Sequence, residues 1–201
     1  MTTMRLLSSL ALIALLAGCA ASQPPTSFHT LMPALDATAV PPPGPARLAI
    51  RIAPVRVPAQ VDQPQWVVRT ADGGMQVLEQ QRWVASPADE FREALADRLT
   101  RGLGALDLSR TGAASSGLPV WQLQVELLRF DSVAGKEAVQ QLVWSLRPPG
   151  DGAPALSCSS LVREPAGEGY AALAAAHRAA LMRLADAIAA AIVGGAARCP
   201  A

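Results

Sequence analysis

The sequence is poor in the side chains on which most site chemistry depends. Its 201 residues include two histidines and three cysteines. That scarcity excludes a zinc-rich protein, whose sites draw on Cys and His in quantity. Charge is scarce as well: 16% of residues are charged, and 17 basic against 16 acidic residues leave a formal net charge of +1. Nucleic-acid binding depends on clustered Lys and Arg that neutralise phosphates, so no nucleic-acid partner is expected. No G-x-S-x-G elbow, P-loop, C-x-x-C or H-E-x-x-H is present, which removes the commonest sequence signatures of hydrolases, nucleotidases, redox proteins and metalloproteases. Gly102-Leu103-Gly104 begins like a dinucleotide fingerprint but lacks the third glycine, and it lies at the expected end of a helix instead of between a strand and a helix. No cofactor and no metal are expected. What the chain does have is apolar material: 51% hydrophobic residues, enough for one buried core.

The N-terminus reads as a processing segment. Arg5 supplies a positive charge, and Leu6 to Leu16 is an uncharged stretch of eleven residues. A helix of that length rises about 16 Å, roughly half of a ~30 Å hydrocarbon core, so it reads as a secretory signal and not as a membrane span. Leu16-Ala17-Gly18-Cys19 resembles the lipobox of bacterial lipoproteins. The resemblance implies removal of residues 1–18 and acylation of Cys19, with several acyl chains making the anchor effectively permanent. Ala20 follows where an Asp, in enterobacterial lipoproteins, would signal retention in the inner membrane. The expected placement is therefore the outer membrane, facing the periplasm. Residues 19–46 are expected to be a lipidated N-terminus and a Pro-rich tether, with five prolines from Pro33 to Pro45. Phe28 to Leu31 within it could start a strand.

Residues 47–201 are expected to form one α+β domain. Leu48, Ile50 and Ile52 alternate with Ala49, Arg51 and Ala53, the period of a half-buried strand. Trp66 to Thr70 and Met75 to Leu78 flank Asp72-Gly73-Gly74, a hairpin pattern. Ser86-Pro87-Ala88-Asp89 is a helix start, and Phe91, Leu95, Leu99 and Leu103 follow at helical spacing before Gly104. Strands are expected over 120–130, around Leu142 to Leu146, and over 156–163. A final helix from Tyr170 to Val193 carries His177 on its apolar stripe. The order strand–strand–strand–helix, repeated, predicts a mostly antiparallel sheet with both helices on one face.

Candidate functional residues are few. His177 could pair with a serine as a hydrolase would require, but a packed structural histidine is the favoured reading. Cys158 and Cys199 are candidates for a disulfide in an oxidising compartment, closing a loop of about forty residues that the loop-entropy model values at about 4 kcal/mol. The competing reading is two free thiols.

Taken together, several segments resemble the ABC-type transport auxiliary lipoprotein family, the PqiC-like lipoproteins. They are the lipobox, Phe28-His29-Thr30-Leu31, Val55-Arg56-Val57-Pro58, Val61-Asp62-Gln63-Pro64-Gln65-Trp66-Val67-Val68-Arg69, Arg82-Trp83-Val84-Ala85-Ser86-Pro87, Val125 to Phe130, Trp144 and the Ala-rich terminal helix. Gln63 stands where the family often has Arg. The resemblance implies a non-catalytic lipoprotein that works with an MCE-domain protein and an ABC-type permease and ATPase in lipid transport between the envelope membranes. Trp66, Arg69 and Trp83 are the candidate partner contacts, since Trp and Arg anchor interfaces; each alone also fits a core aromatic or a surface charge. A homo-oligomer is open on this reading. The alternative is a pilotin-like or cell-wall-synthesis-activating lipoprotein of another envelope complex.

Overall fold

A computed structural model describes residues 24–34, 45–110, 117–150 and 152–200. The signal segment, Cys19, most of the Pro-rich run and most of the loop before Pro119 lie outside the described residues.

The elements in chain order are β1 (Ser27–His29), β2 (Ala49–Ile52), β3 (Gln65–Arg69), β4 (Met75–Trp83), α1 (Pro87–Leu103), β5 (Leu106–Asp107), β6 (Val120–Val133), β7 (Glu137–Arg147), β8 (Leu156–Pro165) and α2 (Tyr170–Val193). They form two mixed sheets where the sequence pattern suggested one. The smaller has the order β1-β4-β3 and the larger β5-β2-β6-β7-β8. Prolines explain the split. Pro54, Pro58 and Pro64 lie between β2 and β3, and a residue without an amide hydrogen cannot sit in a continuous ladder. The long ladders β6/β7 and β7/β8 are antiparallel, as is β3/β4. The parallel pairings β1/β4, β2/β5 and β2/β6 are short. The two-residue β5 was not legible in the sequence.

Residues 19–46 are not all tether. Ser27–His29 pairs in parallel with Gln81–Trp83, and Leu31 is fully buried. Glu90 of α1 accepts hydrogen bonds from the Thr30 hydroxyl at 2.6 Å and the Leu31 amide at 2.7 Å, while Arg178 of α2 donates to the Thr30 carbonyl at 3.0 Å. The folded body therefore starts well before residue 47, because these contacts satisfy backbone groups that burial would otherwise strand.

Helix α1 begins as its residues dictate. Ser86 caps it by accepting from the Asp89 amide at 3.2 Å, and Pro87 occupies a position that needs no donor. Gly104 ends it at φ 59°, a left-handed conformation that costs a residue without Cβ little. The two helices pack on each other and on the larger sheet. Phe91, Leu95 and Leu99 of α1 and Leu173, Leu181, Leu184 and Ile188 of α2 join the strand residues Ile50, Leu123, Leu142 and Leu146 in one core.

Candidate functional site

The chemistry-bearing side chains converge on the seam where β3 of the small sheet meets β6 of the large one, beneath α2. A register shift between Leu127 and Arg129 turns the inward face of β6 from odd to even positions. Phe130 and Ser132 therefore point inward, while Gln140 falls on the inward stripe of β7 with Leu142, Trp144 and Leu146. His177 of α2 enters this space with no exposure. Its ring stacks on Phe130 with centroids 4.2 Å apart.

Hydrogen bonds connect the seam completely enough to assign the imidazole tautomer. Gln140 Nε2 donates to the His177 carbonyl at 2.9 Å and lies 3.2 Å from His177 Nδ1, so Nδ1 accepts. The ring proton then sits on Nε2, which is 2.8 Å from Ser132 Oγ. Trp66 Nε1 donates to the same oxygen, also at 2.8 Å. Ser132 Oγ thus receives two donors, which fills its acceptor capacity. Gln140 Oε1 is left buried without a partner, a local cost of the arrangement.

Electrostatics divide the seam in two. Burial drives the His177 pKa down to about 3, with Asp131 pulling weakly the other way, so the ring is neutral at pH 7. Asp131 is buried on the adjoining strand position. Burial alone would raise its pKa, but hydrogen bonds from Arg69 (Nη2 to Oδ1, 2.9 Å) and Arg129 (Nε to Oδ2, 2.9 Å) hold the carboxyl below its ordinary value.

Ser132 and His177 meet the distance requirement for a nucleophile and its base, but not the other requirements. In this tautomer Nε2 carries the proton where a base would have to accept one. The two residues are 1% and 0% exposed, so no substrate atom reaches them. The sequence pattern singled out His177 but not Ser132 or Gln140. A polar residue on the apolar stripe of β7 was the readable signal for Gln140. Ser132 was hidden by the shift in register.

The candidate partner contacts need correction. Trp66 and Trp83 are 1% and 2% exposed and pack on each other at 4.3 Å, so neither is available to a partner. They belong to the core because their large apolar rings fill the space between the small sheet and α2. Arg69 remains about one-third exposed but is committed to Asp131. Cys158 and Cys199 are joined as a disulfide, with Cα atoms 5.7 Å apart; the bond ties β8 to the tail beyond α2.

The outer face of the large sheet offers a different surface. An open groove of about 420 Å³ runs over β6, β7 and β8, lined by Gln124, Glu126, Val143, Ser145, Ser157 and Ser159. Arg56 pairs with Glu126 across it at 3.1 Å. Hydroxyls, an amide and one exposed ion pair suit contact more than bond-breaking. Among the described residues no group of three or more His, Cys, Asp or Glu could hold a metal ion. Also among them, no helix is long and apolar enough to cross a membrane.

Comparison with known proteins places this geometry. In fold the chain is similar to a crystal structure described as an uncharacterized protein, with TM-score 0.65 and 15% identity over 84% of this chain and 99% of the other. It is also similar to a crystal structure of a Xanthomonas campestris protein of the DUF330 family, with TM-score 0.58 and 20% identity over 78% and 91% of the two chains. At those identities the likeness establishes the fold alone. A PelC dodecamer from Paraburkholderia phytofirmans aligns only loosely, with TM-score 0.40 and 10% identity over 71% and 87% of the chains, and carries no argument. A search of curated proteins finds no match. Residues 29–189 match the family of the ABC-type transport auxiliary lipoprotein component, a span that includes β2 to β8, α1 and nearly all of α2. The chain belongs to the ABC-type transport auxiliary lipoprotein family.

Proposed function

We propose that this protein is the non-catalytic accessory subunit of an MCE/ABC-type system for lipid transport between the envelope membranes. In this reading Cys19 carries the acyl anchor, the body faces the periplasm from the outer membrane, and its exposed surfaces dock the MCE-domain protein. The observation that carries the proposal is the family match over residues 29–189, which associates the chain with ABC-type transport. The seam supports the non-catalytic part: its one serine–histidine pair is closed off and wired as a structural link.

Physically, anchoring supplies what a small inert body lacks. Confinement to a membrane surface raises its effective concentration toward a partner held at the same surface, so modest contacts suffice for a stable assembly. Docking then falls to exposed positions such as the groove over β6 to β8, since the tryptophans are internal.

The test is purification of the membrane-anchored protein from envelopes with mass spectrometry of what accompanies it. Enrichment of an MCE-domain protein and of ABC permease or ATPase subunits is expected. Their absence, with a secretin or a cell-wall synthase in their place, would overturn the proposal in favour of another envelope complex.

A further inference from the structure

We propose that the exposed corner formed by Phe28 of β1 and Val84, just beyond β4, is a lipid-contact surface that lies against the membrane holding the anchor. The inference rests on the reading of Cys19 as the lipid-bearing residue.

Phe28 stands apart from the other phenylalanines and tryptophans of the chain. Phe91, Phe130 and all four tryptophans are buried, whereas Phe28 is 64% exposed. Val84 is equally exposed at 64%. The two are neighbours through the parallel ladder. Phe28 pairs with Arg82, and the Val84 amide donates to the His29 carbonyl at 2.9 Å, carrying the ladder one step further. Alternation then puts Phe28, Arg82 and Val84 on one side, with His29 and Trp83 on the other, against the core. The surface combines an aromatic ring and a branched aliphatic with the Arg82 guanidinium, which Glu79 balances at 4.0 Å. The apolar pair, and not net charge, is what suits it to the boundary between acyl chains and headgroups.

Chain length identifies the occupant. The first described residue, Pro24, follows Cys19 by five positions, and Phe28 follows it by nine. At full extension those segments span at most about 18 Å and 32 Å, so β1 cannot leave the neighbourhood of a bilayer that holds Cys19. Nor is β1 a loose leader. The Thr26 hydroxyl donates to Gln80 Oε1 at 2.8 Å, His29 Nε2 meets Gln81 Oε1 at 2.7 Å, and Glu90 holds the next two residues. A fixed strand on a short leash presents one side to the membrane repeatedly. The exposed apolar side chains of the larger sheet, such as Leu161, stand on a different sheet and serve as the control.

The test uses the full-length, processed protein in vesicles of phosphatidylethanolamine and phosphatidylglycerol. Benzoylphenylalanine replaces Phe28, Val84 or Leu161 in turn, and all three positions are exposed enough to accept it without disturbing the core. Mass spectrometry first records the state of Cys19; irradiation then reports what each position touches. Lipid adducts at positions 28 and 84, several-fold above those at 161, are expected. Adducts to a second copy or to the protein's own chain, or no excess over position 161, would overturn the inference. An unmodified Cys19 would take down the anchoring and the contact together, whereas an acylated Cys19 without lipid adducts at 28 and 84 would remove the contact alone.

Discussion

The seam beneath α2 and the outer face of the large sheet lie on opposite sides of β6 and β7, and they divide the polar chemistry of the molecule unequally. The seam joins Ser132, His177 and Gln140 on the inward side of β6 and β7, and Asp131 sits at its edge on the reverse side of β6, held by Arg69 and Arg129. The outer face has serines, Gln124 and one exposed ion pair. A survey by residue type would look for function in the seam. Accessibility reverses that choice, because a buried and largely hydrogen-bonded polar cluster specifies a packing arrangement, whereas a plain exposed surface is what another molecule can reach.

Breaking the seam should have the largest effect. Trp66→Ala removes a fully buried ring and the donor to Ser132, and should cost about 3–5 kcal/mol, read as a fall in the denaturation midpoint. A cost near that of a surface substitution would show that the small sheet is not tied to the large one through this ring. Opening the disulfide tests the tie between β8 and the chain end. Cys158→Ser/Cys199→Ser opens a 41-residue separation and should cost about 2–4 kcal/mol, again by equilibrium unfolding.

Acid titration sharpens the contrast by a different route. His177 has a folded-state pKa near 3 against an ordinary value of 6.5, so the unfolded chain binds the proton first as pH falls. The contribution is neutral above about 6.5 and becomes a loss of about 1.4 kcal/mol per pH unit from there down toward 3. Asp131 adds its own loss only below the ordinary carboxylate value of 3.8. His177→Gln should lower stability at pH 7 and flatten the decline between pH 6 and pH 4, measured by urea unfolding at each pH. An unchanged slope would mean that the ring is not protected from protons. The smallest effect belongs to the outer face. Arg56→Ala removes an exposed partner of Glu126 and should change stability by less than about 0.5 kcal/mol. On the proposed reading it instead weakens recovery of the partner from envelopes.

Much of the fold was legible because its periods are local. The final helix falls at Tyr170–Val193 as expected, and the cap Ser86 and the terminator Gly104 mark α1 as their chemistry requires. The antiparallel meander could be read from alternation in Trp121, Leu123, Val125 and Leu127. Legibility failed where the cause was not local. The register shift after Leu127 hid Ser132, and the pairing of β1 with β4 joins residues 54 positions apart. Trp66 and Trp83 were ambiguous for a related reason: a tryptophan in a strand looks the same in sequence whether its face is covered by a helix or left for a partner. Burial by α2, far along the chain from both, decided between them.

The parallel seating of β1 has a mechanical consequence. Under the proposed anchoring at Cys19, tension between a membrane and the body enters ahead of β1, before it can reach either helix. It is met first by the Thr26–Gln80 hydrogen bond and three residue pairs with β4, and next by the grip of Glu90 and Arg178 on Thr30 and Leu31. On that reading a tug loads β1 and its contact between His29 and Trp66 ahead of the helices, which would make this strand a sacrificial joint.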